Sequence, residues 1–251
     1  MISSIRSLDF RVVVVFISIA ILQTISWYFT SRRFFRVNLF DYFQGDKNVY
    51  LIEYLYWFIG DFFVFLIIPV LIIIFILKIP VKEFGFRFGD FKTGIFLSVL
   101  FLLIMIPFLW LVSASPEFIA KYPHLESTRT NWSVFFIYEI GMLIYMFSWE
   151  FIWRGFTLFG LEKKFGYYAV LIQMIPFVIL HNGKPEIETF SAILGGIILG
   201  ILALRTRSFF YGFITHIGIM FSIDLICILR FRTDVYGTGF DSFFKILSKL
   251  F

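Results

Sequence analysis

Long apolar runs, each bounded by a short charged segment, decide what this chain can become. They fall near residues 11–30, 54–77, 94–113, 134–160, 166–181, 189–204 and 208–229. A helix needs about 20 residues to cross the hydrocarbon of a bilayer, since each residue advances about 1.5 Å. The fifth and sixth runs, "YYAVLIQMIPFVILH" and "TFSAILGGIILGILAL", fall short. Short spans tilt, thin the bilayer or sit inside a bundle. Pro176 is placed to kink the fifth. The chain is 60% hydrophobic and 16% charged, where a soluble domain carries about 25% charge. The expected fold class is all-α: a polytopic membrane helical bundle of about seven transmembrane helices, multi-pass in a cell membrane.

The joints refine this picture. "SRRFFRVNLFDYFQGDKN" links the first two spans, and the basic, Gly- and Phe-rich "KIPVKEFGFRFGDFKTG" suits a segment lying at the interface. In the tail "FDSFFKILSKLF", Phe240, Phe243, Phe244, Leu247, Leu250 and Phe251 share one side, opposite Asp241, Lys245 and Lys249. That pattern fits an amphipathic helix on the membrane surface. The organisation expected is N-terminal spans and an interfacial segment over 1–93, a core over 94–230 and the amphipathic tail over 231–251. The first apolar run is long enough to span, and no small-x-small site follows it, so it reads as a retained span. Lysines and arginines, counted from Arg6 onward, balance across the two sides, so orientation stays open. The net charge of +5 fits anionic headgroups better than nucleic acid. The single cysteine, Cys227, allows no intrachain disulfide.

An ionisable side chain at membrane depth costs at least about 2.5–3.5 kcal/mol on insertion scales and is a functional candidate by default. Asp61, Glu139, Glu150, Arg154, His181, His216 and Asp224 qualify. Asp61 is isolated and reads as structural. His124 lies in the polar loop "ASPEFIAKYPHLESTRTN" and reads as solvated. Depth from the side of residues 161–165 and 205–207 is about 16 Å for Glu150, 12 Å for His216 and 24 Å for His181 and Asp224. Tilt can bring Glu150, His181 and His216 to one cavity, whereas Glu139, at about 33 Å, stays apart.

Each residue also has a packing explanation. Glu150 and Arg154 stand at i and i+4 with the acid first, so they can neutralise each other. The helix dipole accounts for Glu186 and Glu188 after Pro185. Gly196 and Gly200 in "GGIILG" have the spacing of close helix packing. One carboxylate and two imidazoles at compatible depths nevertheless suit water activation. The same set could hold zinc, but HExxH, a Cys cluster and GxSxG are all missing from the sequence, so no cofactor is expected.

The ordered stretches "WEFIWRGF", "FVILH" and "THIGIMFSID" resemble the CPBP family. Its members include the type II CAAX prenyl endopeptidases and the abortive-infection-like proteins. Glu150 and Arg154 match the end of its EExxxR motif, Phe177 and His181 its FxxxH motif, and His216 its third motif. The likeness covers about 134–229. Trp149 stands where the family's first Glu would be, giving a member with a single Glu in that motif. Met220 stands four residues after His216, where the family has Asn or Asp, and Asp224 lies two turns on. The resemblance implies an intramembrane glutamic-type endopeptidase cutting a membrane-associated peptide or protein, either CAAX-like or a leader peptide. Glu150 is expected to take the proton of water, His181 and His216 to polarise it, and Arg154 to orient Glu150. Asp224, Asn182, Lys184 and Phe177 support them. The alternative is a catalytically altered member acting as an immunity factor or membrane scaffold. A transporter fits less well, because no two halves resemble each other.

Overall fold

A computed structural model describes residues 8–250, and all regular structure among them is helical. Six helices are long and apolar enough to cross a membrane: α1 (Phe10–Asn38), α2 (Val49–Leu77), α3 (Phe91–Val112), α4 (Trp132–Phe165), α6 (Glu186–Thr206) and α7 (Phe210–Thr233). Between α4 and α6 lies the shorter apolar helix α5 (Tyr168–Ile179). Its 12 residues advance about 18 Å, and it continues past Pro176. The tail forms α8 (Phe240–Leu250). Arg6 and Phe251 lie outside the described residues.

Side-chain caps set several starts. Asp9 accepts from the backbone of Val12, Asp90 from Thr93, and Asn131 from Ser133 and Val134. Such caps satisfy amide groups that have no partner within the helix. Helix α4 is the centre of the bundle. Its apolar window is 67% buried inside the protein, against 11% for α1 and α3. Helix α2 runs along α4, α3 along α7 and α5 along α6, while α4 and α7 meet directly. The α5–α6 contact depends on small residues. A Cβ at Gly200 would come within 2.9 Å of Val170 and Gln173, so only glycine lets the helices approach this closely. Gln173 closes the contact by donating to the carbonyl of Gly196.

Three sequence expectations need correction. The first joint is partly helical: Arg32–Asn38 extends α1 beyond a break at Ser31, and Arg32 and Arg36 reach Glu53 at 2.5 and 2.9 Å. The second joint does more than lie at an interface. Phe84 is buried and stacks on Phe156, and Phe86 meets Phe147, Phe151, Phe209 and Phe210. His124 is only partly solvated. It packs on Tyr122 with 4.6 Å between ring centroids, and its Nδ1 lies 3.1 Å from the carbonyl of Lys121. Asp61 has the structural partners expected of it, accepting from Thr30 and from Trp57 Nε1.

The setting of His124 carries a pH consequence. Burial, and then the ammonium groups of Lys184 and Lys121, push its pKa down from 6.5 to about 3. The unfolded chain therefore takes up a proton below about pH 6.5 that the folded chain refuses, and stability falls as the pH drops. Melting followed in detergent should show a decline from pH 7 to pH 4 that is shallower in His124→Gln. An identical slope in the two proteins would contradict this.

Candidate active site

Glu150 ends the α-helical part of α4, and a π-helical stretch, Phe151–Thr157, follows it at once. Wide π turns are rare and concentrate at functional positions. Within this one the Thr157 hydroxyl donates to the carbonyl of Ile152. Arg154 lies within the stretch and donates to Glu150 Oε1 at 3.0 Å. Both side chains are fully buried. A single ion pair with no access to water is costly to strip of either partner, by about 3–5 kcal/mol.

His216 joins the pair from α7. Its Nδ1 lies 2.7 Å from the same Oε1. A carboxylate only accepts, so Nδ1 carries the hydrogen, and in the neutral ring Nε2 keeps the free lone pair. Gly212, one turn before His216, makes room for this meeting. A Cβ there would stand 2.8 Å from Glu150 Oε2.

Phe177 of α5 is the hub. The Arg154 guanidinium lies 4.0 Å from its ring centroid, a cation–π distance. The imidazoles of His181 and His216 lie 4.5 and 6.0 Å from it, and Trp149 lies 6.2 Å away. His181 follows the end of α5 and donates from Nδ1 to the carbonyl of Phe177 at 2.7 Å. Its own carbonyl accepts from Lys184 N and Thr189 Oγ1, which ties it to the start of α6. Both imidazoles therefore have Nδ1 occupied and Nε2 free.

A cavity of about 370 Å³ opens beside them, a size that suits a small ligand or a side chain. His181, His216 and Phe177 line it, together with Glu188 and apolar residues of α3, α6 and α7. Glu150 does not line it and sits behind His216. The position of Trp149 is also settled. Its ring is buried among Phe65, Tyr145, Trp153 and Phe177 and stays off the cavity wall.

Glu150, Arg154, Phe177, His181 and His216 thus form one cluster. Asp224 does not join it: its carboxyl is buried, has no hydrogen-bond partner and does not line the cavity. Asn182 is exposed, and Lys184 donates to Glu188 at 2.6 Å. Glu188, which also accepts from the Tyr122 hydroxyl, lines the cavity. The stretch "HNGKPEIE" offers it beside Asn182 and Lys184 as a residue near His181, although the helix dipole alone also accounts for an acid there. Among the described residues no three His, Cys, Asp or Glu side chains are arranged to hold a metal ion together.

Residues 130–222 match the family model described as Rce1-like: Type II CAAX prenyl endopeptidase Rce1-like. This stretch is similar to that family over rather more than a third of the chain. The matched stretch includes every member of the Phe177 cluster and stops short of Asp224. Comparisons with curated proteins and with solved structures found no match. The matched model is described as an endopeptidase.

The Glu150–His216 contact depends on Gly212 having no side chain. Gly212→Val should displace Glu150 and lower the melting temperature by several degrees, because a well-packed site tolerates added methyl groups at about 1–3 kcal/mol. An unchanged melting temperature would mean that α4 and α7 are not this close.

Proposed function

We propose that this CPBP-type chain is an intramembrane endopeptidase of a cell membrane. It hydrolyses a peptide bond in a membrane-associated substrate, either CAAX-like or a leader peptide. The observation that carries this reading is the 2.7 Å contact that anchors His216 from behind while its other face meets the cavity shared with His181.

The sequence suggested that Glu150 takes the proton of water directly. Its position behind His216 favours a relay instead. The free Nε2 of His216 takes the proton as the water oxygen adds to the scissile carbonyl carbon. The Glu150 carboxylate meets the charge that develops on the ring, and Arg154 holds that carboxylate in place. The protonated ring then gives its proton to the departing amine nitrogen as the C–N bond breaks. His181, held by the Phe177 carbonyl, offers a second fixed nitrogen to orient the water. The apolar wall receives the substrate's hydrophobic part and excludes bulk water. The reading uses no cofactor.

One observation favours a second reading. The tryptophan at 149 occupies an apolar stack where a second acid would otherwise stand, which suits a non-catalytic immunity factor or scaffold. The two readings part on one assay in proteoliposomes, using a farnesylated CAAX peptide and an unmodified leader peptide, each with a fluorophore and quencher. Wild type should cleave, and Glu150→Gln and His216→Ala should each cut the rate per folded molecule about 10²–10⁴-fold, with His181→Ala also impaired. Wild-type rates in Glu150→Gln and His216→Ala would exclude this cluster as the catalytic centre, and no cleavage by the wild type would exclude the peptidase reading.

A further inference from the structure

Gly195 of α6 has no packing reason to be a glycine. Among the described residues every other helical glycine, from Gly60 to Gly218, would bring a Cβ within 2.9 Å of another side chain. A Cβ at Gly195 would meet no atom within 4 Å. The backbone gives no reason either. Gly195 lies in the interior of α6 and its φ is not positive. In such a place glycine weakens a helix relative to alanine.

What Gly195 faces is the cavity of about 370 Å³. Ala192 and Leu199, one turn to either side on the same face of α6, line it as well. The next residue, Gly196, turns to α5 instead, where a Cβ would come 2.9 Å from Met174 and 3.3 Å from the Phe177 ring. This contact sets the depth: Gly195 stands level with Phe177, the ring on which His181 and His216 converge. The two histidines are 7% and 8% exposed, line the same cavity and have Nδ1 engaged with a protein oxygen. The space that a side chain at position 195 would fill is therefore beside the ring nitrogens that carry the chemistry.

We propose that Gly195 sets the size of the substrate group that the cavity accepts, its missing side chain leaving a seat for a bulky apolar group, branched or aromatic, beside the bond being cut. The effect on cleavage rests on the peptidase reading above, whereas occupancy of the seat is measurable without turnover. The lining names the chemical class. Of the lining side chains only Glu188 is an acid and none is a lysine or arginine, and Lys184 already pairs with Glu188. A charged group would enter without a partner, at a cost. Met105 of α3 and Met220 of α7 stand in the other walls, and flexible thioethers adapt to rings and branched chains alike.

The test uses proteoliposomes and two leader peptides that differ at one residue beside the cleaved bond, alanine or phenylalanine. Wild type should prefer phenylalanine. The ratio of kcat/KM for phenylalanine over alanine should fall about tenfold or more in Gly195→Leu, and by less in Gly195→Ala. Gly195→Ala should melt in detergent no lower than wild type, because its methyl group meets open space and alanine favours a helix. No preference in the wild type, an unchanged ratio in the variants, or a lower melting temperature for Gly195→Ala would overturn the proposal. Should Gly195→Leu not fold, the ratio in Gly195→Ala decides. Occupancy is read separately, with a leader peptide carrying p-benzoylphenylalanine in its apolar segment. Light should link it to Met105 or Met220 in the wild type, and clearly less in Gly195→Leu or Gly195→Ala. Linking without any cleavage would end the peptidase reading and support the seat. No link, or equal linking in wild type and variants, would overturn the proposal. A phospholipid with a photoreactive acyl chain that links there when the peptide does not would give the space to the bilayer and also overturn it.

Discussion

A carboxylate at membrane depth has to be neutralised by something close at hand, and this bundle is arranged around how that is done. Asp61 receives hydrogen bonds from a threonine and an indole. Glu53, near one edge, is met by Arg32 and Arg36. Glu150 receives an arginine one turn on and an imidazole from another helix. Glu139 and Asp224 are buried with no hydrogen-bond partner on any of their four oxygens. The first two solutions fix packing. The third leaves a ring nitrogen facing a cavity, and that difference separates a structural acid from a chemical one.

The backbone of α4 makes the third solution available. The π-helical stretch after Glu150 widens the helix where Arg154 turns toward both Glu150 and the Phe177 ring. Gly212 lets α7 approach close enough for His216 to reach the same oxygen. Aromatic rings fill the space around the cluster and keep water from Glu150. An ion pair sealed in this way is rigid, so the imidazole it holds is rigid too, and orientation is a large part of what a catalytic site supplies.

Much of this was legible in the chain itself. Span positions follow from the length of apolar runs, and α5 reads as short because it is short. Glu150 and Arg154 stand out because acid and base at i, i+4 in an apolar helix have few explanations. Depth arithmetic brought His216 to Glu150 correctly. Periodicity along α7 put Asp224 on the face of His216 as a substitute for the family's Asn or Asp, yet it does not line the cavity. Where a residue two turns on comes to lie depends on how the helices pack, which periodicity along one helix does not encode. Glu188 had two explanations in the sequence, closeness to His181 and the dipole at a helix start, and sequence alone does not choose between them. His124 was misjudged because a polar loop can still fold back onto aromatic rings.

The central claim is that Glu150 fixes the proton of His216 on Nδ1 and leaves Nε2 open to the cavity. Nitrogen-15 NMR of histidine-labelled protein reads this directly. Only three histidines are present, so His124→Gln and His181→Gln identify the His216 signals. The account predicts a protonated Nδ1 and a bare Nε2 at neutral pH, with that preference lost in Glu150→Gln. A His216 ring protonated on Nε2 alone, unchanged by Glu150→Gln, would contradict it.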